Sequence, residues 1–213
     1  MFGFWLPGLS RSHSSDWTIE GGHLAERCQL FVIMALGESI LLTGETFSKS
    51  EHLDSQTVLA FLSAFAGSLA MWWLYFDTSS KDGSHKIAHA ADPGRMGAYF
   101  HYVHVIIVGG IIVSAVGNEL VIAHPHGHVS VQGAAVLLGA SLIYLMGNAI
   151  YKTVVYGRFP LSHLVGAGLL AVLAVLVPML DMLVLNLATT AVLLLVAAWD
   201  TWGHRNRSSA QHT

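Results

Sequence analysis

Ionisable side chains inside long apolar runs are the residues of this chain that could do chemistry. Glu38 is the clearest case, because it lies within the apolar segment QLFVIMALGESILLTGE. A charged group at the centre of a bilayer costs at least ~2.5 to 3.5 kcal/mol, so such a residue usually faces a partner or a water-filled cavity. Glu38 is therefore predicted to line a proton or ion path, or else to lock helix packing through a hydrogen bond.

Glu38 shares a helical face with other titratable residues. At about 100° per residue, Arg27, Glu38 and Glu45 fall within about 20° of one another, and His23 lies about 40° to one side. Arg27 and Glu38 would be about 16 Å apart along the axis, so they do not pair directly. The stripe is predicted to face other helices along most of its length. His23, Glu26 and Arg27 form a polar cluster at its start, which is predicted to be cytoplasmic.

A second apolar run carries titratable residues near both of its ends. His101 and Glu119 are 18 residues apart, which is five turns of helix, so they share a face about 27 Å apart, and His104 lies about 60° away. Together the two runs give a candidate relay for protons or ions, formed by Glu38, Glu45, His101, His104 and Glu119. The alternative is that residues within two turns of a membrane end reach water by snorkelling, which would explain all of them except Glu38.

Three histidines in the segment HPHGH invite a metal interpretation, because imidazole is the commonest transition-metal ligand. They are His124, His126 and His128, and no carboxylate or cysteine stands at a fixed short spacing beside them. Proline and glycine between them predict a solvated loop, so we expect no metal here. The single cysteine, Cys28, excludes an intramolecular disulfide framework and a thiolate metal cluster. No phosphate-binding loop, nucleophile elbow, zinc-protease or dinucleotide motif is present, so neither a cofactor nor a familiar enzyme class is predicted.

Composition then identifies the elements that must position these residues. The chain has 213 residues, of which 54% are hydrophobic and 11% are charged, whereas soluble domains carry about 25% charged residues. Mean hydropathy is +0.57. These values largely exclude a soluble enzyme and predict an integral membrane protein whose first partner is the lipid bilayer. The net charge of -3, without lysine and arginine clusters among aromatics, argues against nucleic-acid binding.

Apolar runs near the ~20 residues that span a bilayer predict an all-α, polytopic transmembrane helix bundle with about six crossings. The predicted spans are Leu24 to Phe47, Gln56 to Phe76, Gly97 to Ala123, Val131 to Tyr151, Leu161 to Leu180 and Leu183 to Trp202. The last two runs are too long to be one crossing, and Pro178 and Asp181 predict the turn between them. The first ten residues are apolar but too short for a signal peptide.

The distribution of basic residues over the connections supports this topology. One side of the membrane would hold nine of the ten basic residues, and the other side would hold Lys49 alone. The nine are Arg11, Arg27, Lys81, Lys86, Arg95, Lys152, Arg158, Arg205 and Arg207. Such an asymmetry predicts that both termini are cytoplasmic. The predicted organisation is an N-terminal stub and loop over 1–22, one transmembrane domain over 23–204, and a polar cytoplasmic tail over 205–213.

Small residues at helical spacing predict where helices approach closely. Gly110, Ser114 and Gly117 lie opposite the face that carries the titratable residues of their run. Gly139 and Gly147 repeat this spacing in the next run. These are signals of contact between helices within a bundle.

The segment HLAERCQLFVIMALGESI, His23 to Ile40, resembles the signature of the bacterial low temperature requirement A family, with a histidine, a Glu-Arg pair and a later Gly-Glu-Ser on one helix. Further matches follow in the same order and extend the resemblance over nearly the whole chain. They are WWLYF at 72–76, the run HVIIVGGIIVSAVGNE ending at Glu119, His-Pro at 124–125 and LMGN at 145–148.

The resemblance implies a multi-pass protein of the bacterial inner membrane, with no agreed substrate or chemistry. By motif position it marks His23, Glu26, Arg27, Glu38, His104 and Glu119 as important, without assigning a role. Members of the family have a further set of membrane helices before this signature, whereas only MFGFWLPGLS and a short loop precede it here. The chain is therefore predicted to be a C-terminal portion, completed by self-association or by an N-terminal-half partner.

Three functions remain open from the sequence. The first is a transporter or channel whose proton or ion path passes Glu38, and the distribution of polar residues along the helices favours it. The second is a membrane-embedded enzyme that acts on lipid through His23, Glu26, His101 or His104 as acid and base. The third is a non-catalytic membrane scaffold or sensor for growth in the cold, in which Glu38 only fixes packing.

Overall fold

The computed structural model describes residues 21–50, 53–77, 93–125 and 128–210, and these form six long helices. The helices are α1 (Gly21–Ser48), α2 (Ser55–Phe76), α3 (Pro93–Ala123), α4 (Val131–Tyr156), α5 (Leu161–Leu176) and α6 (Met182–Ala210). Each is long and apolar enough to cross a membrane, α5 together with the short 3₁₀ turn Val177–Met179 that follows it. The prediction of an all-helical membrane bundle with six candidate spans is confirmed.

Capping residues explain where several helices begin and end. The Asp54 carboxylate accepts a hydrogen bond from Thr57 N at 2.8 Å and starts α2, and Ser130 does the same for α4. Gly157 ends α4 in the left-handed conformation, with φ 71°. Because α4 continues beyond Tyr151, the prediction that Lys152 lies in a basic loop is wrong: Lys152 is inside the helix and 4% exposed.

The bundle has two ends, which we name after residues that lie there. The Asp54 end holds the connections α1–α2, α3–α4 and α5–α6, and the Lys152 end holds the connection α4–α5 and the end of the membrane-spanning part of α6. The predicted turn after α5 is confirmed, since Pro178 lies in the 3₁₀ turn. His128 forms an antiparallel bridge with Asp181, so the α3–α4 and α5–α6 connections meet at the same end, as predicted.

Four helices form the core, and two lie at its edges. The core consists of α2, α3, α4 and α6, while α1 packs against α3 and α2, and α5 packs against α6 and α4. The backbones of α3 and α4 approach closely, since a Cβ on Gly110 would lie 2.8 Å from Tyr144 N and one on Gly147 would lie 3.1 Å from Ile107 N. The predicted contacts at Gly110 and Gly147 are confirmed, whereas Gly139 faces open space.

Several predicted features lie outside the described residues. These are residues 1–20 of the predicted stub and loop over 1–22, with Arg11, the connection 78–92 with Lys81 and Lys86, His126, and the last residues 211–213.

Candidate functional site

A buried ion pair lies at the Lys152 end of the core, where α4, α5 and α6 meet. The Lys152 ammonium of α4 contacts the Asp200 carboxylate of α6, and these side chains are 5% and 13% exposed. Ser162 Oγ donates a hydrogen bond to Asp200 Oδ1 at 2.5 Å, and His163 Nδ1 lies 3.9 Å from Asp200 Oδ2. We name these four residues the Lys152 cluster. Burial of two charges is tolerated here because they pair with each other and Asp200 accepts a further hydrogen bond from Ser162.

The Lys152 cluster has the residue types of a nucleophilic triad without its geometry. Ser162 Oγ also lies 3.1 Å from His163 Nδ1, but its hydroxyl proton is donated to the Asp200 carboxylate, so it can only accept from the imidazole. A nucleophilic serine instead donates to the imidazole that takes its proton. Ser162 and His163 are only 3% and 2% exposed, so a substrate has no access to them. His163 Nε2 has no hydrogen-bond partner among the described residues. The arrangement is suited to holding charge inside the bundle rather than to attacking a substrate.

A second buried group joins α2, α3 and α4 next to this cluster. Tyr75 Oη lies 2.7 Å from His104 Nε2, and His104 Nδ1 lies 2.7 Å from the carbonyl oxygen of Phe100. Because a carbonyl only accepts, Nδ1 must carry a proton, so in the neutral imidazole Nε2 accepts from the tyrosine hydroxyl. The ring of Tyr151, which precedes Lys152 in α4, lies 5.2 Å from the His104 ring. His104 is therefore fixed by packing and by hydrogen bonds at both nitrogens.

Removing the Tyr75 hydroxyl should destabilise the bundle. The variant Tyr75→Phe leaves the buried His104 Nε2 without its donor, which should lower the free energy of unfolding by about 1–3 kcal/mol. The measurement is denaturation of the purified protein in bicelles, followed by tryptophan fluorescence. His104→Phe and the double variant complete the cycle. If the two single losses simply add in the double variant, the hydrogen bond does not contribute to stability.

Polar side chains also surround the centre of the core. A cavity of about 10 Å³ lies between α2, α3, α4 and α6, and its polar lining is Ser114, Asn118, Ser141, Asn186, Thr189 and Thr190. Asn186 Nδ2 donates to Ser63 Oγ at 3.2 Å, which links α6 to α2. Asn118 Nδ2 has no hydrogen-bond partner among the described residues. The space is about that needed by one water molecule with polar neighbours.

One face of α4 connects the centre to the Lys152 cluster. Its polar residues are Ser141, Tyr144, Asn148 and Lys152, all of them buried. Their spacing of three or four residues places them in one row about 16 Å long. Tyr144 Oη donates to the carbonyl oxygen of Met71 in α2, and Asn148 Nδ2 donates to Tyr144 O at 3.1 Å.

An open cavity of about 910 Å³ lies at the Asp54 end, and its charged lining brings together residues of α1, α2 and α3. Glu45 and Glu119, which the sequence places near one level, both line it, together with Lys49 and Asp54. Lys49 Nζ lies 2.5 Å from Glu45 Oε1. That hydrogen bond, and then the Glu45 charge, raises the pKa of Lys49. Asn118 of the central cavity precedes Glu119 in α3, so the two cavities are adjacent along the helix.

The other residues singled out from the sequence do not join these groups. Glu38 is exposed, and no described helix covers the α1 stripe that was predicted to face other helices. His101 is also exposed, one turn before the buried His104. Along the predicted relay, the structure brings Glu45 and Glu119 together and leaves Glu38 apart from both cavities.

The polar cluster at the start of α1 and the histidine loop are exposed where the structure describes them. His23 Nδ1 lies 3.5 Å from Glu26 Oε2, and Arg27 is exposed beside them. His124 and His128 are exposed. Within the described ranges, no group of three or more histidine, cysteine, aspartate or glutamate side chains could hold a metal ion.

The chain is similar in sequence to known proteins of one family. The family model described as bacterial low temperature requirement A protein (LtrA) matches residues 1–198. An uncharacterised protein of Rhizobium meliloti (strain 1021) is 37% identical over 211 residues, which are 97% of this chain and 51% of that protein. The chain thus spans about half the length of this curated relative. No solved structure matches the chain.

Proposed function

The chain belongs to the bacterial low temperature requirement A family, and from that premise we propose that it is a membrane transporter or channel with a proton or ion path through the core of the bundle. The path begins in the cavity lined by Glu45 and Glu119, passes Asn118 and the central cavity, and reaches the Lys152 cluster along α4.

The series of buried polar side chains along the core carries this proposal. Helix association in a bilayer needs no polar interior, because small and apolar residues suffice for close packing. Polar and ionisable groups inside membrane helices are costly, and they mark ion and proton pathways in many transporters. Here they occur at successive levels from Asn118 to Asp200, on the inward faces of core helices rather than at a single depth.

The orientation that follows from the basic residues is part of the proposal. The Lys152 end is cytoplasmic, and the cavity at the Asp54 end opens to the outside. The asymmetry does not depend on Lys152 itself, which pairs with Asp200 inside the core. The remaining basic residues assigned to this side still outnumber Lys49, the only one at the other end.

A non-catalytic scaffold is the competing function, because interhelical hydrogen bonds such as that between Asn186 and Ser63 also hold membrane helices together. A lipid-modifying enzyme has less support. His104, His163 and Ser162 have hydrogen-bond partners but are buried. The exposed pair of His23 and Glu26 lines neither of the two described cavities.

Blocking the central cavity should slow the flux strongly without unfolding the protein. In Asn118→Leu a side chain of similar size replaces an amide whose Nδ2 has no described partner, so packing is retained while the polar path is interrupted. The variant is introduced into the native gene of the cells that normally produce the protein, and vesicles are prepared from their membranes. Proton uptake by these vesicles should fall about tenfold. Uptake is followed with an internal pH dye after a pH jump.

Two buried serines provide a matched control. Ser141 and Ser68 each donate to the carbonyl four residues earlier, at 3.2 and 3.3 Å, but only Ser141 lines the central cavity. Ser141→Ala should slow the flux and Ser68→Ala should leave it unchanged. Glu38→Gln tests the route predicted from the sequence, and loss of flux in that variant alone would move the path to α1. Flux equal to that of vesicles lacking the protein would favour the scaffold.

A further inference from the structure

The exposed face of α1 differs from a surface built only for lipid. The helix buries one face against α3 and α2, through Ala25, Cys28, Val32, Leu36, Ser39 and Thr43. The opposite face is open, with Met34 67% and Leu41 70% exposed. Glu38 lies on this open face, 15 residues after His23 and 10 before Ser48, the two ends of the span. The Cα of Glu38 is thus about 15 Å along the axis from the nearer end of the span, too far for its short side chain to reach the membrane surface by snorkelling.

The second edge helix, α5, provides the comparison. Its exposed positions are all apolar or glycine, with Val172 57% and Val175 79% exposed. This is the composition expected of a face in contact with lipid. Both helices lie at an edge of the bundle, so position alone does not explain the charged residue on α1.

The exposed face of α1 also has room for a close neighbour. Gly37 and Gly44 are two turns apart on the open side, and a Cβ at either would meet no atom within 4 Å. Glycines at such spacing let the backbones of two membrane helices approach, and a polar side chain beside them bonds across the contact. The glycines and Glu38 thus point to a protein partner.

The length of the Rhizobium relative indicates which partner fits. That protein contains a region matching nearly all of this chain and about as much polypeptide again. A second copy of this chain fits less well, because a two-fold axis through this face would bring two Glu38 carboxylates together. A different helical unit can instead supply a donor. We propose that this face of α1 docks a second bundle of membrane helices, equivalent to the part of the relative that this chain does not span, which presents a cationic or hydrogen-bond-donating side chain to Glu38.

Spin labels on the two edge helices test this docking. In a Cys28→Ser background, one label is placed at Leu41→Cys and another at Val175→Cys, and oxygen accessibility is measured in bilayers. In the product of the native gene, purified from its own membranes, the oxygen accessibility of the label should be at least about twofold lower at position 41 than at position 175. In residues 1–213 produced alone, the two positions should be equally accessible. Neither measurement depends on transport, so the outcome is independent of the proposed path.

Two other results would overturn the proposal. Equal accessibility in the native product would show that lipid covers α1. Shielding of 41 in residues 1–213 alone, increasing with the ratio of protein to lipid, would show that a second copy covers it. Glu38→Leu gives an independent measurement, since it should lower the yield of the native product and raise that of residues 1–213 alone. A higher yield in both would contradict a partner at Glu38.

Discussion

Replacing Lys152 with methionine should lower the free energy of unfolding by about 3–5 kcal/mol, because it leaves the Asp200 carboxylate buried without its cation. Methionine keeps the apolar stem of the side chain, so the change removes mainly the charge. The hydrogen bond from Ser162 is retained and compensates only part of the loss. The measurement is denaturation in bicelles, followed by tryptophan fluorescence.

Two further variants separate the ion pair from other effects of the substitution. In Lys152→Met with Asp200→Leu both charges are absent, so most of the stability should return. Lys49→Met removes a lysine that also pairs with a carboxylate, Glu45, but at the exposed end of α1, and should cause no measurable loss. Additive losses in the double variant, or equal effects at Lys152 and Lys49, would show that the buried pair does not stabilise the fold.

The helices of this protein are predictable from its sequence because a bilayer imposes a length on each apolar run. All six candidate spans occur where the runs predict them. Among the span ends that lie inside the chain, the largest difference between prediction and structure is at the end of α4, which continues beyond the predicted Tyr151 to Tyr156. Lys152 interrupts the apolar run and so resembles the start of a loop, but a partner in α6 allows it to stay inside the helix.

The candidate site is less predictable, because periodicity gives the face of a residue and not its neighbour. Asp200 lies within the predicted last span, and Lys152 directly follows the predicted fourth span. Their pairing across 48 residues of sequence depends on the contact between α4 and α6. The available sequence signal for this pair was that one acid and one base lie at the same membrane level, each at the end of an apolar run.

Glu38 also shows that periodicity gives the face of a residue and not its neighbour. Its spacing correctly places it on one face with Arg27 and Glu45, since all three are exposed on α1. The spacing carries no information on whether that face meets another helix of the chain, lipid or a further protein. Helix neighbours, set by contacts such as Gly110 with Tyr144, decide the question.

Adding a side chain at Gly110 should be among the most destabilising changes in the core. The first atom of any side chain there would lie 2.8 Å from Tyr144 N and 2.9 Å from Tyr144 Cα, so α3 and α4 would have to separate. Backbone atoms cannot rotate away as a side chain can. Gly110→Val should therefore lower the free energy of unfolding by about 3 kcal/mol. Displacement of Tyr144 would also disturb its hydrogen bond to Met71 O, which joins α4 to α2.

Gly109 is the matched control, because it precedes Gly110 in the same helix and a Cβ there would meet nothing within 4 Å. Gly109→Val keeps the change in helix propensity and removes the clash, so it should leave the unfolding free energy within about 1 kcal/mol of wild type. Both variants are measured by the same denaturation in bicelles. Equal losses of unfolding free energy at the two glycines would mean that helix propensity, rather than the close α3–α4 crossing, causes the loss. The packing that brings Asn118 beside Ser141 would then need another explanation.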